Sequence, residues 1–188
     1  AMIETFRAIG YSIETAIADI IDNSITAGAK NIWIDYDWKG ASTTLSILDD
    51  GIGMNNEQLI QAMRPGSRNP LEERNRDDLG RFGLGLKTAS FSQTRKFTVL
   101  SKAKDYKTVF WPWDLDYVNK AQAWKLIRFI PTEEKWIQRL EPLETGTCVV
   151  WWDLDRLTKD TSEDSEEAKS NLLGIMDSVK SHLSMVFH

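Results

Sequence analysis

Cysteine and histidine are almost missing from this chain. Its 188 residues hold one cysteine, Cys148, which excludes a disulfide framework and a cysteine zinc cluster. The two histidines, His182 and His188, both fall within the last seven residues. A histidine metal site or a Ser-His-Asp hydrolase site is therefore a poor candidate. No apolar run reaches the ~18 residues needed to span a bilayer, and no charged-then-apolar leader opens the sequence. A surplus of positive charge is also lacking. Lys and Arg number 23 against 28 Asp and Glu, a net charge of −5, and neutralising phosphates along a nucleic acid needs the opposite balance.

What remains is ordinary globular composition, 41% hydrophobic and 27% charged. The length suits one domain over residues 1–188, expected to be soluble and cytoplasmic, with no membrane partner. Ala1 before Met2, and the apolar ending Val186-Phe187-His188, suggest a piece of a longer protein with a further domain after it.

Helices and strands alternate. Apolar residues at 13, 16, 17, 20, 21 and 25 predict a helix from Ile13 to Ile25, capped by Ser12 and stopped near Gly28. Strands are expected at Ile32–Trp38 and Thr44–Leu48, around the Lys39-Gly40 turn. Asn55 or Asn56 caps a short helix to Met63. Arg64 to Arg81 carries nine charged residues with Pro65, Gly66, Pro70 and Gly80, too irregular and long for an ordinary connection, so it reads as a functional loop. Gly83-Leu84-Gly85 opens a helix to about Phe91. Strands follow at Phe97–Lys102, Lys107–Trp111 and Lys125–Phe129, then a helix from Thr132 to Leu140, a strand Cys148–Trp152 and a last helix Ser165–Val186. The pattern predicts an α/β sandwich with a mixed sheet.

Three segments carry chemistry. On the first helix, Asp19, Asp22 and Asn23 project to neighbouring positions away from the apolar face. A carboxylate beside a carboxamide suits a hard cation or an oriented water. The strand Thr44–Leu48 runs into Asp49-Asp50-Gly51-Ile52-Gly53-Met54. There the alternating glycines admit close backbone approach, and an ionised Asp49 can accept from an exocyclic amine. Last, Gly80-Arg81-Phe82-Gly83-Leu84-Gly85-Leu86-Lys87 places glycines and a cation at a helix start, an arrangement suited to anions. It lacks the Walker ending and the dinucleotide-binding spacing.

Taken in order, Ala18-Asp19-Ile20-Ile21-Asp22-Asn23-Ser24, Asp49-x-Gly51-x-Gly53 and Gly80-x-x-Gly83-x-Gly85 resemble the GHKL ATPases. That family joins the gyrase B subunit, the ninety-kilodalton heat-shock chaperones, histidine kinases, mismatch-repair MutL and MORC proteins. Thr145-Gly146-Thr147-Cys148-Val149-Val150 looks like the late Gly-Thr strand of the gyrase, chaperone and MutL branches, so the resemblance runs from about Ile13 to Asp153. The wording Ile-Asp-Asn-Ser-Ile and Gly-Leu-Gly-Leu-Lys is nearest to MORC-like or bacterial chaperone-like members.

The resemblance implies the Bergerat ATP-binding fold, a two-layer α+β sandwich with a mobile lid over ATP. It implies that Asn23 binds Mg²⁺ and that Asp49 takes the adenine amino group with support from Thr147; Gly51, Gly53 and Met54 are expected to belong to the nucleotide-binding residues. Gly80, Arg81, Phe82, Gly83, Leu84, Gly85, Leu86 and Lys87 would hold the phosphates, and the lid would run from Met63 to Phe82, with Gly66 and Ser67 near the nucleotide. One position departs from the pattern. The hydrolytic branches usually carry Glu four residues before the Mg²⁺-binding Asn, and this chain has Asp19. That carboxylate is shorter by one methylene, about 1.5 Å, and base catalysis is sensitive to reach. Asp22 ranks second as the base.

Four functions follow: an ATPase driving homodimerisation or the loading of a DNA or protein client, a sensor that binds ATP or ADP with little turnover, a kinase of the histidine-kinase branch, or an interaction domain on the same scaffold. Asp19 and the Gly146-Thr147 strand favour the first over the third. The tryptophans at 111, 113, 124, 136, 151 and 152 read as core packing, with a docking face as the alternative.

Overall fold

The computed structural model describes residues 11–64, 80–121, 134–158 and 162–186, leaving aside the side chains of 80–84, 119, 158 and 184–186. The expected strand Lys125–Phe129, the cap Thr132, Trp124, Ser67 and almost all of the expected lid lie outside the described residues.

Helix α1 spans Ile13–Thr26, and the Ser12 side chain accepts the Thr15 N–H as its cap. It is followed by β1 (Ile32–Asp37), a short 3₁₀ turn at Gly40–Ser42 and β2 (Thr44–Asp49). Helix α2 (Asn56–Met63) starts with a reciprocal capping box between Asn55 and Gln58. Then come α3 (Gly80–Gln93), β3 (Lys96–Lys102), β4 (Val109–Asp114), α4 (Leu115–Ala121), α5 (Glu134–Leu140), β5 (Gly146–Trp152), α6 (Asp155–Thr158) and α7 (Glu166–Val186).

The five strands form one sheet in the order β1-β2-β5-β3-β4. Every described pairing is antiparallel, where a mixed sheet was expected. The reason lies in the order. The helical crossover from β2 through α2 and α3 joins two strands that run the same way, but β5 is inserted between them and pairs antiparallel with both. The strand expected at Lys107–Trp111 forms instead as β4 at the sheet edge, where Pro112 removes no needed ladder donor.

One sheet face turns Leu45, Ile47, Phe97, Val99, Trp113, Val149 and Trp151 toward the helices, where they meet Ile17 and Ile20 of α1, Leu59 of α2 and Leu86 of α3. The other face carries a smaller core, in which Leu48, Leu100, Cys148 and Val150 are covered by Trp136 and Leu140 of α5. Trp113, Trp136 and Trp151 are all buried, so the packing reading of these tryptophans is the observed one. No helix among the described residues is long and apolar enough to cross a membrane.

Candidate functional site

The apolar stripes of sheet and helix turn polar at the same end. On the helix-facing side, Leu45 and Ile47 of β2 are followed by Asp49, Phe97 and Val99 of β3 by Ser101, and Val149 of β5 is preceded by Thr147. These three polar residues are cross-strand partners, Asp49 opposite Thr147 and Thr147 opposite Ser101, and so form one row. On α1 the stripe Ile13, Ala16, Ile17, Ile20, Ile21 continues into Ser24. Helix and sheet close on each other there.

Asp49 is only 3% exposed. Its Oδ2 accepts from Ser24 Oγ at 2.7 Å and its Oδ1 from the Gly51 N–H at 2.9 Å. Burial pushes its carboxyl pKa up, against the bonds from Ser24 and from the backbones of Gly51 and Thr147. Ionised, it keeps lone pairs beyond those two bonds for a further donor. Ser101 Oγ lies 2.8 Å from Thr147 Oγ1 and 3.1 Å from the Gly146 carbonyl, and accepts the Met54 N–H at 2.8 Å. Met54 is buried beneath this row. The neighbouring Asp50 has a different job. It accepts from the N–H groups of Lys30 and Asn31 and from Asn31 Nδ2, tying the start of β1 to the end of β2.

Two glycines are demanded by space. Gly53 has φ +64°, and a Cβ there would lie 2.0 Å from the Lys102 carbonyl oxygen. A Cβ on Gly146 would lie 2.3 Å from the Asp49 carbonyl oxygen. Both let the Asp49 loop sit directly on the sheet end.

Asn23 and Asp19 lie one turn apart on α1. Asn23 is buried, and its Nδ2 has no partner among the described groups. A buried amide left unpaired costs about 1–3 kcal/mol, so a donor without a described partner makes Asn23 a candidate for ligand binding. Asp19 is half-buried and accepts a hydrogen bond from the Tyr11 hydroxyl. Asp22 is exposed.

The glycine-rich segment is not a loop leading into the helix. Helix α3 begins at Gly80, so Gly80, Gly83 and Gly85 all have helical backbone, despite a glycine cost of about 1 kcal/mol each. Packing of α3 along α1 and α2 supplies the offset. The side chains of Arg81, Phe82 and Leu84 lie outside the description. Among the described residues a Cβ on Gly85 would meet nothing within 4 Å, so this glycine is not there for close packing against any of them. Leu86 is core. Lys87 is buried, its Nζ donates to the Arg64 carbonyl at the end of α2, and burial pulls its pKa down to about 8.

The structure thus gathers Asp49, Gly51, Gly53, Met54 and Thr147 at one end, and puts Asp19 and Asn23 on the adjoining turn of α1. Ser24 and Ser101 were missed by sequence reasoning. Their signal was present, since each puts a hydroxyl at a position where the apolar period calls for a core residue.

Comparison with known proteins bears on the family. Residues 11–147 match the family model described as histidine kinase-, DNA gyrase B-, and HSP90-like ATPase. The chain is 31% identical over 88 residues to the ATPase morc-1 of Caenorhabditis elegans, covering 47% of this chain and 10% of that protein. It is 30% identical over 125 residues to the DNA mismatch repair protein MutL of Dictyoglomus turgidum, covering 63% and 21%. A MutL of Colwellia psychrerythraea is 32% identical over 98 residues, covering 51% and 15%. The chain therefore spans between a tenth and about a fifth of the length of these relatives.

Proposed function

The chain belongs to the histidine kinase-, DNA gyrase B-, and HSP90-like ATPase family, and from that premise we propose that it binds ATP with Mg²⁺ and hydrolyses it to ADP and phosphate. The observation that carries the reading is the buried Asp49 carboxylate, held between the Gly51 N–H and Ser24 Oγ, the residue that follows Asn23 on α1. A buried acceptor-only group fits the exocyclic amine of adenine. It opposes guanine, whose carbonyl at the same ring position is a second acceptor.

The residues present fit a magnesium ion that is shared with phosphates. Among the described residues no cluster of three or more His, Cys, Asp or Glu could cage a metal. Among the described residues the buried side-chain atom of α1 without a partner is Asn23 Nδ2, a donor that suits a phosphate oxygen, so the ion itself would fall to the carboxamide oxygen of Asn23. Mg²⁺ keeps several waters and takes few protein ligands at such sites. When bound, it supplies charge neutralisation at the phosphates. Asn23 would hold it. Asp19, one turn earlier, would accept the proton of the attacking water at its carboxylate, and Lys87 with the α3 backbone amides would face the phosphates.

In this proposal nucleotide binding is coupled to closure of the segment 63–82 and to homodimerisation, as the family resemblance implies, with a DNA or protein client acting through further domains. Calorimetric titration tests the core of the reading. ATP should bind in the presence of Mg²⁺, with GTP at least tenfold weaker, and phosphate release should be slow but measurable. Equal affinity for GTP would remove the adenine assignment, and absence of binding by any nucleotide would leave an interaction domain.

A further inference from the structure

Asp19 is held from outside its own helix. Tyr11 stands one residue before the Ser12 cap of α1, and its phenol reaches forward two turns to donate to Asp19 Oδ2. The ring is half-buried and packs on the main core, while the Tyr11 carbonyl accepts from Gln93 Nε2 at 3.0 Å. Gln93 is the last residue of α3, the helix that begins with the glycine-rich segment, and it is itself buried. Tyr11 is therefore fixed at both its ring and its main chain. A short aspartate in mid-helix otherwise tends to bond backbone groups nearby. Pinning Oδ2 prevents that, and leaves Oδ1 as the oxygen that no described residue bonds.

We propose that Tyr11 is the positioning residue for Asp19 in ATP hydrolysis: its phenol fixes the shorter carboxylate so that one oxygen stays aimed at the attacking water beside Asn23. The inference rests on the reading of Asp19 as the base. The phenol is suited to the task because the bond to Asp19, with burial, raises its pKa to about 12. It stays protonated and a donor throughout the working pH range. Tyr11 itself neither touches the reacting atoms nor moves a proton in this scheme. The water's proton passes to Asp19, and the water oxygen forms its bond to the terminal phosphorus as the bond to the ADP oxygen breaks.

The experiment compares the parent chain, Tyr11→Phe, Asp19→Asn and the double variant. Phosphate release gives kcat and KM, and calorimetry gives affinity for a non-hydrolysable ATP analogue with Mg²⁺. Tyr11→Phe keeps the packed ring and removes only the donor. It should lower kcat on the order of ten- to a hundredfold, as a small misplacement of a reacting group does, with KM and analogue affinity within about twofold. In the Asp19→Asn background the same change should cost almost nothing, because there is no carboxylate left to position. If Asp19→Asn is inactive but Tyr11→Phe matches the parent, the positioning role is wrong while the base assignment stands. If Asp19→Asn turns over as fast as the parent, the base assignment itself fails and the proposal goes with it. A rise in kcat for Tyr11→Phe would show that the phenol masks the carboxylate, and overturns the proposal too. The pairing is read without turnover by urea unfolding of the same four proteins. Non-additive losses support it, and strict additivity means the pair does not form in solution.

Discussion

The two ends of the site are built on different principles. At the Asp49 end the polar row belongs to three paired strands, and Asp49, Ser101 and Thr147 are bonded within the protein. At the α1–α3 end Asn23 Nδ2 has no described partner, Lys87 is engaged by a backbone carbonyl, and glycines occupy a helix. The first end is pre-formed, with ladder hydrogen bonds fixing the side chains proposed to read a ligand. The second holds a donor without a described partner, Asn23 Nδ2, and a cation, Lys87, whose present partner a ligand would replace. On the proposed reading, base recognition needs no reorganisation, whereas phosphate recognition does.

The largest expected effect breaks the rigid end. Gly53→Ala puts a methyl group 2.0 Å from the Lys102 carbonyl oxygen, at a φ of +64° that alanine adopts at a cost. Neither the Asp49 loop nor β3 has slack to absorb it. Loss of about 3 kcal/mol or more is expected, read as a lowered urea midpoint. A loss below about 1 kcal/mol would mean that the loop is not seated on the sheet as described.

Asp49→Asn is milder and separates recognition from folding. The amide can still accept the Gly51 N–H at Oδ1, and Ser24 can rotate to accept from Nδ2. Burial raises the Asp49 pKa, so the folded state disfavours its charge, and any stability tied to the protonated form is lost as pH rises through the folded value. At neutral pH the substitution should therefore leave the fold as stable as the parent or more so. ATP affinity should fall about tenfold, since a charge-assisted bond of roughly 1.5–3 kcal/mol is lost. Unchanged affinity would sink the adenine assignment.

Gly85→Ala probes the other end, where a Cβ meets nothing within 4 Å. Replacing a mid-helix glycine should stabilise the chain by about 0.5–1 kcal/mol. If the bare backbone is kept for close approach to phosphates, nucleotide affinity should fall at the same time. Gain in both would show that the glycine serves neither packing nor binding.

These contrasts also explain what could be read in advance. The cap at Ser12, the helix from Ile13 and the strand from Thr44 follow from local period and turn chemistry, and stand in the structure within a residue or so. Asp49, Asn23 and Thr147 stand out as candidates because each belongs to a short contiguous motif. The Ser24–Asp49 bond joins residues 25 positions apart, and the Ser101–Thr147 contact joins residues 46 apart. Such pairs depend on strand order, and the insertion of β5 between β2 and β3 has no local signal. The helical start of α3 at Gly80 was missed for the opposite reason. Glycine propensity argues locally for a loop, and packing against α1 outweighs it.

The smallest expected effect concerns the proton on Lys87, and it tests whether the second end exchanges its partners. Burial lowers the Lys87 pKa to about 8, so at pH 8 about half of the unliganded molecules carry it neutral. A phosphate anion brought to this ammonium favours the charged form and raises the pKa again. Binding must then take up protons. The uptake should be about half a proton at pH 8 and close to none at pH 6.5. Affinity should accordingly weaken as pH rises through 8, by about twofold at that pH. The nucleotide phosphates are largely ionised by then and contribute little of their own. Calorimetry in buffers of different ionisation heat reads the uptake directly. Lys87→Met should abolish it while leaving the buried Asp49 cradle intact. If the parent shows no uptake at pH 8, or if Lys87→Met shows the same uptake, Lys87 stays on the Arg64 carbonyl in the bound state. The α1–α3 end would then be as fixed as the Asp49 end, and the contrast between them would have to be given up.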